Sequence, residues 1–319
     1  MKLYVIGNGF DLHHGLDTKY ISFGRYLKDN YYETYDLLLE YFGFEDLKPK
    51  PITTEPCPLW SEFETHMSGL CTQSVLGACE DSLPNYASDS FRDRDRYDFV
   101  VEIERIVELL TTQLLKAFKE FILAVKYPDL SQVKVINLDT NAQYLTFNYT
   151  DTLSKYYGIT DENVVFIHEK AKDNDTTLVL GHGIDPENFK EKPNEPPKGL
   201  SDEDYEQWEQ DQADRFDYSY ELGKQEINNY FIKSFKDTNE VISKNSEFFS
   251  CISNVDEVYI LGHSLSDVDL PYFDQLSKSV KPNAKWVVTC RNPISKKHHL
   301  DVLKGLGITN VTDVRIEDI

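Results

Sequence analysis

No stretch of this 319-residue chain approaches the roughly 18 consecutive apolar residues that a bilayer-spanning helix requires. The first twelve residues also lack the charged-then-apolar layout of a secretory leader. Basic residues are few, with 33 Lys and Arg against 55 Asp and Glu, for a formal net charge of −22. So acidic a chain has no overall field with which to gather nucleic acid by counterion release, and nucleic acid is not an expected partner. The five cysteines, Cys57, Cys71, Cys79, Cys251 and Cys290, contain no CxxC pair. That excludes a four-thiolate zinc site and fits no disulfide framework, so idle thiols, a reducing compartment and no bound metal are expected. The expectation is a cytoplasmic protein without membrane contact.

Aromatic residues are plentiful at 13%, and hydrophobic residues make up 40%, enough for a large core and against intrinsic disorder. Residues 2–6 form a short apolar run cut by Gly7-Asn8-Gly9, the pattern of a buried parallel strand entering a tight turn. Helical spacing follows from Tyr20, and the four prolines in residues 48–58 exclude regular structure there. Residues 99–127 carry one apolar stripe at steps of three and four, a single helix ended by Pro128. Beyond it the chain alternates. Strands are expected at 144–147, 164–168, 178–180, 258–261, 286–289 and 311–315, and helices at 151–157, 221–249 and from about 267. Such alternation implies a mostly parallel α/β sheet with covering helices. The helix-rich segment at about 20–130 is too long for one crossover and reads as an insertion. A second, at about 185–250, combines a charged loop or weak helix with a helical stretch.

In open parallel sheets ligands sit at the carboxyl ends of the strands, so residues just after each strand matter most. Four turns carry chemistry there. Gly7-Asn8-Gly9-Phe10-Asp11 lacks the third glycine of a dinucleotide fingerprint and the Gly-Lys-Ser/Thr of a Walker loop. It is either a plain tight turn or a backbone approach to a phosphate. Asn148 and Asp151, after the strand at 144–147, suit a ribose hydroxyl or a water, or else Asn148 or Thr150 caps the next helix. His168 ends the strand at 164–168 and His182 stands between Gly181 and Gly183, and each is a base candidate near neutral pH or a satisfied structural histidine. Gly262-His263-Ser264 follows the strand at 258–261, with Ser266 and Asp269 spaced as a capping box. Gly-His-Ser-Leu-Ser lacks the final glycine of a hydrolase elbow. Glu62 and Glu64 can reach the site from the first insertion.

Taken together, Ile6 to Leu12 with His14 to Tyr20 and Phe23, Trp60-Ser61-Glu62-Phe63-Glu64, Leu145 to Leu153, and Leu261 to Phe273 resemble the signature of the bacteriophage abortive-infection AbiH family. The order of turns is similar, more distantly, to the sirtuin-type NAD-binding fold. The two likenesses imply one Rossmann-like, sirtuin-like α/β domain over residues 1–319, acting in phage defence with NAD as substrate. Carried over residue by residue, Gly7, Asn8, Gly9, Phe10 and Asp11 would lie near the phosphates and the nicotinamide end, and Gly262, His263, Ser264 and Asn292 would lie on the phosphate or adenosine side. Asn148 would contact the reacting ribose or its water, and His168 or His182 would be the base. Asp11, Asp151 and Glu64 are the carboxylates available to a ribose cation. A phage-derived trigger or partner protein and a homo-oligomer are compatible with such a role.

Two departures bear on the chemistry. In sirtuins the catalytic His is followed by Gly, whereas His168 is followed by Glu169, and His182 by Gly183. The zinc module of four cysteines that protein-deacylating sirtuins carry is missing, which favours glycohydrolysis over deacylation. Other readings are hydrolysis of a different nucleotide or RNA, with Lys296-Lys297-His298-His299 the one basic cluster, and a non-catalytic sensor of NAD or ADP-ribose.

Overall fold

Short apolar runs that end in glycine or a polar residue become the strands of a parallel sheet. The computed structural model describes residues 1–48, 57–172, 176–192 and 194–319, so most of the proline-rich stretch at 48–58, and Pro193, lie outside the described residues. Within them run β1 (Lys2–Ile6), β2 (Gln143–Thr146), β3 (Val164–Phe166), β4 (Glu257–Leu261), β5 (Lys285–Thr289) and β6 (Val311–Val314). Every pairing is parallel, in the order β3-β2-β1-β4-β5-β6. This is the doubly wound, Rossmann-like order, and the direction of winding reverses between β1 and β4.

Alternate side chains of each strand feed two cores. Leu3, Val5, Leu145, Val258, Ile260 and Trp286 pack on one face. Tyr4, Ile6, Tyr144 and Leu261 pack on the other, where the Tyr4 ring stacks between Tyr144 and Tyr259 at 5.1 and 5.0 Å. A third apolar cluster belongs to the insertions. Phe23, Trp60, Phe63, Phe99 and Phe118 from the first pack with Ile227, Tyr230 and Phe231 from the second. The two insertions therefore form one helical cap, and Tyr149, just beyond β2, joins it to the sheet.

Three expectations change. Residues 178–180 form no strand, because the Val179 amide makes a single ladder-like bond, 3.0 Å to the His168 carbonyl. The helix expected at 99–127 runs as Asp98–Glu108 and Leu114–Leu123, joined through a wider π turn at Leu109–Gln113. The helix expected at 221–249 is broken into Tyr218–Lys233, Thr238–Lys244 and Ser246–Cys251. Within the charged interruption, Asp202–Arg215 is a helix that buries none of its residues.

Candidate active site

Ile6 lies opposite Thr146 on one side and Leu261 on the other, so the turns after β1, β2 and β4 leave the sheet at one level. There two glycine turns interlock. The Gly7 amide donates to the Leu261 carbonyl at 2.9 Å, the Gly9 amide to the Gly262 carbonyl at 2.7 Å, and the Phe10 amide to the Gly7 carbonyl at 2.9 Å. Gly262 has φ +66°, and a Cβ on it would stand 2.2 Å from the Phe10 nitrogen. Only glycine lets the two backbones meet this closely. Asn148 ties in the third turn by donating from Nδ2 to the Gly7 carbonyl at 3.1 Å, so neither it nor Thr150 caps the helix Thr152–Tyr157. Asn8 and Ser264 are exposed on the outer side of the interlock. The Asn8 side chain exchanges hydrogen bonds with Thr18.

Asp11 is buried beneath this turn. Thr150 and Thr152 donate their hydroxyls to its two carboxyl oxygens at 2.7 and 2.6 Å. Burial outweighs these bonds and raises its carboxyl to about 6. Phe10 is fully buried against the His14 ring, and His14 is a satisfied structural histidine held between the Phe10 carbonyl and the Tyr157 hydroxyl.

The concentration of charge lies beside this level, between the sheet and the helical cap. Lys236 emerges from the break between Tyr218–Lys233 and Thr238–Lys244 and is 1% exposed. Its ammonium donates to Glu64 Oε2 and Asp269 Oδ1, each at 2.8 Å. The Tyr20 hydroxyl donates to the other Glu64 oxygen, and the Ser266 hydroxyl to Asp269 Oδ2 at 3.1 Å. Two histidines face the same aspartate. His168 Nε2 lies 3.7 Å from Oδ1 and His263 Nε2 3.5 Å from Oδ2. Asp269 is thus the hub of the cluster. Lys236, then His168 and His263, hold its carboxyl far below the usual range against the penalty of burial.

Both histidines are neutral near pH 7. Burial, then the Lys236 charge, pushes His168 well below the ordinary imidazole value. Burial pushes His263 down to about 4. The Leu265 amide donates to His263 Nδ1 at 2.9 Å, which leaves the proton on Nε2, toward Asp269. With two carboxylates, one ammonium and two neutral imidazoles, the buried cluster carries one net negative charge.

The remaining candidates fall elsewhere. His182 lies among the rings of Phe189, Phe231 and Phe235, its Nδ1 accepting the Ile184 amide at 3.3 Å and its buried Nε2 without a hydrogen-bond partner among the described residues. Its carbonyl accepts from the Lys236 amide at 2.8 Å and its amide donates to Ser234 at 3.0 Å, which fixes the segment that delivers Lys236. Asp151 is half-exposed and ion-paired with Lys170. Asn292 caps the helix Pro293–Gly305, its Oδ1 accepting the Ser295 amide at 2.9 Å. In the basic cluster, Lys296 pairs with Asp313 and His299 is buried against Cys290, while Lys297 and His298 are exposed. Ser266 and Asp269 do not form the expected capping box, because the aspartate is drawn to Lys236.

Lys236 and Asp269 went unread as site residues. Each looks ordinary in sequence, one as part of a helix and the other as a cap partner. The signal that remained was backbone strain, invisible without coordinates: among the described residues the non-glycine residues with positive φ are Glu169 (66°) and Leu265 (54°). They follow His168 and sit two beyond His263, and such strain gathers where a site dictates the backbone. A surface groove of about 450 Å³ lined by His13, His14, Gly15, Pro128, Gln132, Lys134 and Glu317 shares no residue with the cluster. Among the described residues no group of three or more His, Cys, Asp and Glu side chains is arranged to hold a metal ion, and no helix is long and apolar enough to cross a membrane.

A doubly wound α/β fold with a capped, charged cluster at the carboxyl edge of its sheet is the class to which these features assign the protein. The family model described as bacteriophage abortive infection AbiH matches residues 3–290, from β1 to the turn after β5, and the chain belongs to that family. No curated protein and no solved structure matches it.

Proposed function

We propose that this AbiH-family chain acts in the cytoplasm in abortive infection by hydrolysing the N-glycosidic bond of NAD when a phage trigger admits the dinucleotide. The observation that carries the reading is the buried cluster around Asp269, with one net negative charge and a neutral His168 at the carboxyl end of β3. Glycosidic cleavage develops positive charge on the ribose, whereas phosphodiester cleavage develops negative charge on phosphate. A buried negative site favours the first and opposes the second. His168, held neutral, can accept a proton from the attacking water.

In this reading the water oxygen bonds to the ribose C1′ as the C1′–N bond breaks. The electron pair of that bond neutralises the nicotinamide ring, and the water proton passes to His168 and on to solvent. ADP-ribose and nicotinamide leave. Asp269 and Glu64 stabilise the ribose cation, and Asn148 and Asp11 hold the turns in place. The pyrophosphate and adenosine would lie over the outer side of the interlock, at Asn8, Ser264 and the Asn292 turn, since the Gly7, Gly9 and Phe10 amides are already bonded. That closed interlock equally supports a second reading, a sensor that binds NAD or ADP-ribose without turnover.

Cellular NAD in a host expressing the chain, with and without phage, tests the proposal. NAD should collapse on infection, persist with His168→Ala, and collapse normally with a His182 variant that folds. Phage protection with unchanged NAD would overturn it.

A further inference from the structure

Two buried polar atoms beside Asp269 have no hydrogen-bond partner among the described residues: His168 Nε2 and the Tyr272 hydroxyl. Neither is a surface group, His168 being 2% exposed and Tyr272 fully buried. Leaving a buried hydroxyl or ring nitrogen unpaired forfeits its hydration with nothing in return, so two in one place call for an explanation. Their rings are neighbours, with centroids 5.7 Å apart at 63°, and both stand edge-on to Phe147 at 5.1 and 5.4 Å. Phe147 is the first residue after β2, so both groups are fixed at the level of the glycine turns. Tyr272 belongs to the helix Leu270–Ser279, which begins immediately after Asp269, and its hydroxyl feels the charges of Lys236, Asp269 and Glu64. Burial keeps that hydroxyl protonated, so it is a donor at neutral pH. His168 Nε2 is the complementary group, since its ring hydrogen-bonds the Phe147 backbone, which places the proton on the other nitrogen.

The geometry points to Tyr272 as a further catalytic residue that, with His168, holds the attacking water beside Asp269. This rests on the reading of the site as a glycohydrolase. The Tyr272 O–H donates to the water oxygen, one water O–H donates to His168 Nε2, and the second lone pair of the oxygen is left for the ribose C1′. On attack the transferred proton ends on His168 Nε2. The phenol itself loses none, so atoms and charge balance as in the hydrolysis above. The role is distinct from that of Lys236, which sets charge but touches no reacting atom in this scheme.

The test uses the full-length chain and Tyr272→Phe, which keeps the ring and removes only the hydroxyl. In triggered protein, nicotinamide release should fall about 10- to 100-fold in kcat while KM for NAD stays within about twofold, as expected when orientation is lost and binding is not. His168→Ala should lose about 100-fold or more. A wild-type kcat in Tyr272→Phe would overturn the role of Tyr272 and leave the glycohydrolase reading standing. A crystal structure at a resolution that shows waters supplies the readout independent of NAD. A water bonded to both Nε2 and the phenol oxygen is expected in the wild type and not in Tyr272→Phe. Its absence from the wild type overturns the inference, whereas its presence in a protein that never cleaves NAD overturns the glycohydrolase reading and the catalytic role of Tyr272 with it, and leaves only the water site standing.

Discussion

Lys236 and Asp269 meet at 2.8 Å in the interior although they come from different layers, one from a break between cap helices and the other from the turn after β4. Their pairing, with Glu64 as the second acceptor, joins the helical cap to the carboxyl edge of the sheet. A buried pair of this kind gains little over apolar packing, but removing one partner strands the other's charge. Lys236→Met should therefore destabilise the protein by about 3–5 kcal/mol. Lys236→Met combined with Asp269→Leu should cost less than the sum of the single changes, with a coupling of about 1–3 kcal/mol in a urea-unfolding cycle. Additive losses would mean that the two charges do not act as a unit.

The same ammonium depresses both neighbouring histidines. In Lys236→Met the midpoints of His168 and His263, followed by NMR, should move upward from their wild-type values, because the repelling charge is gone and Asp269 remains. Unmoved midpoints would place the source of the depression in burial alone.

Glu169 occupies left-handed backbone at φ 66°, a conformation that favours glycine. The turn after His168 is thus made with a residue that bears a steric cost for it. Glu169→Gly should be about 1 kcal/mol more stable than Glu169→Ala, since both lose the carboxylate but only glycine relieves the φ. Equal unfolding midpoints for the two variants would show that the turn carries no strain.

Strands β1 and β5 were legible because they are buried on both faces beyond their first residue and read as short apolar runs, 3–6 and 286–288. The glycine turns were legible for a related reason, since glycine at Gly7, Gly9 and Gly262 has a backbone cause that no other residue serves. Lys236 was hidden by local pattern. Apolar spacing continues through residues 221–249, whereas the break is held by backbone pairing with His182 and by Glu64 and Asp269, all far away in sequence, with Asp237 capping the helix that resumes. Asp269 was masked by its own spacing from Ser266, which satisfies a capping rule that the structure sets aside in favour of Lys236. Residues 178–180 show the reverse error, a β-like run that lacks a neighbouring strand edge to complete it.

Asp11 offers the clearest pH signature. Its carboxyl is raised by burial from 3.8 to about 6, while in the unfolded chain it reverts to the ordinary value. Between these two values the folded state holds a proton that the unfolded state has released. Stability contributed by this group is therefore full below about pH 4 and is lost as pH rises to about 6, the opposite of an ordinary salt-bridged aspartate. At about 1.4 kcal/mol per unit, the loss is about 3 kcal/mol. Asp11→Asn cannot ionise, and the Thr150 and Thr152 hydroxyls can turn to meet an amide. The difference in urea-unfolding free energy, wild type minus Asp11→Asn, should fall by about 3 kcal/mol from pH 4 to pH 7, most of it by pH 6, and stay flat above. A difference that stays constant across that range would mean that Asp11 ionises in the folded protein at its ordinary value, and that the two threonines fully offset its burial.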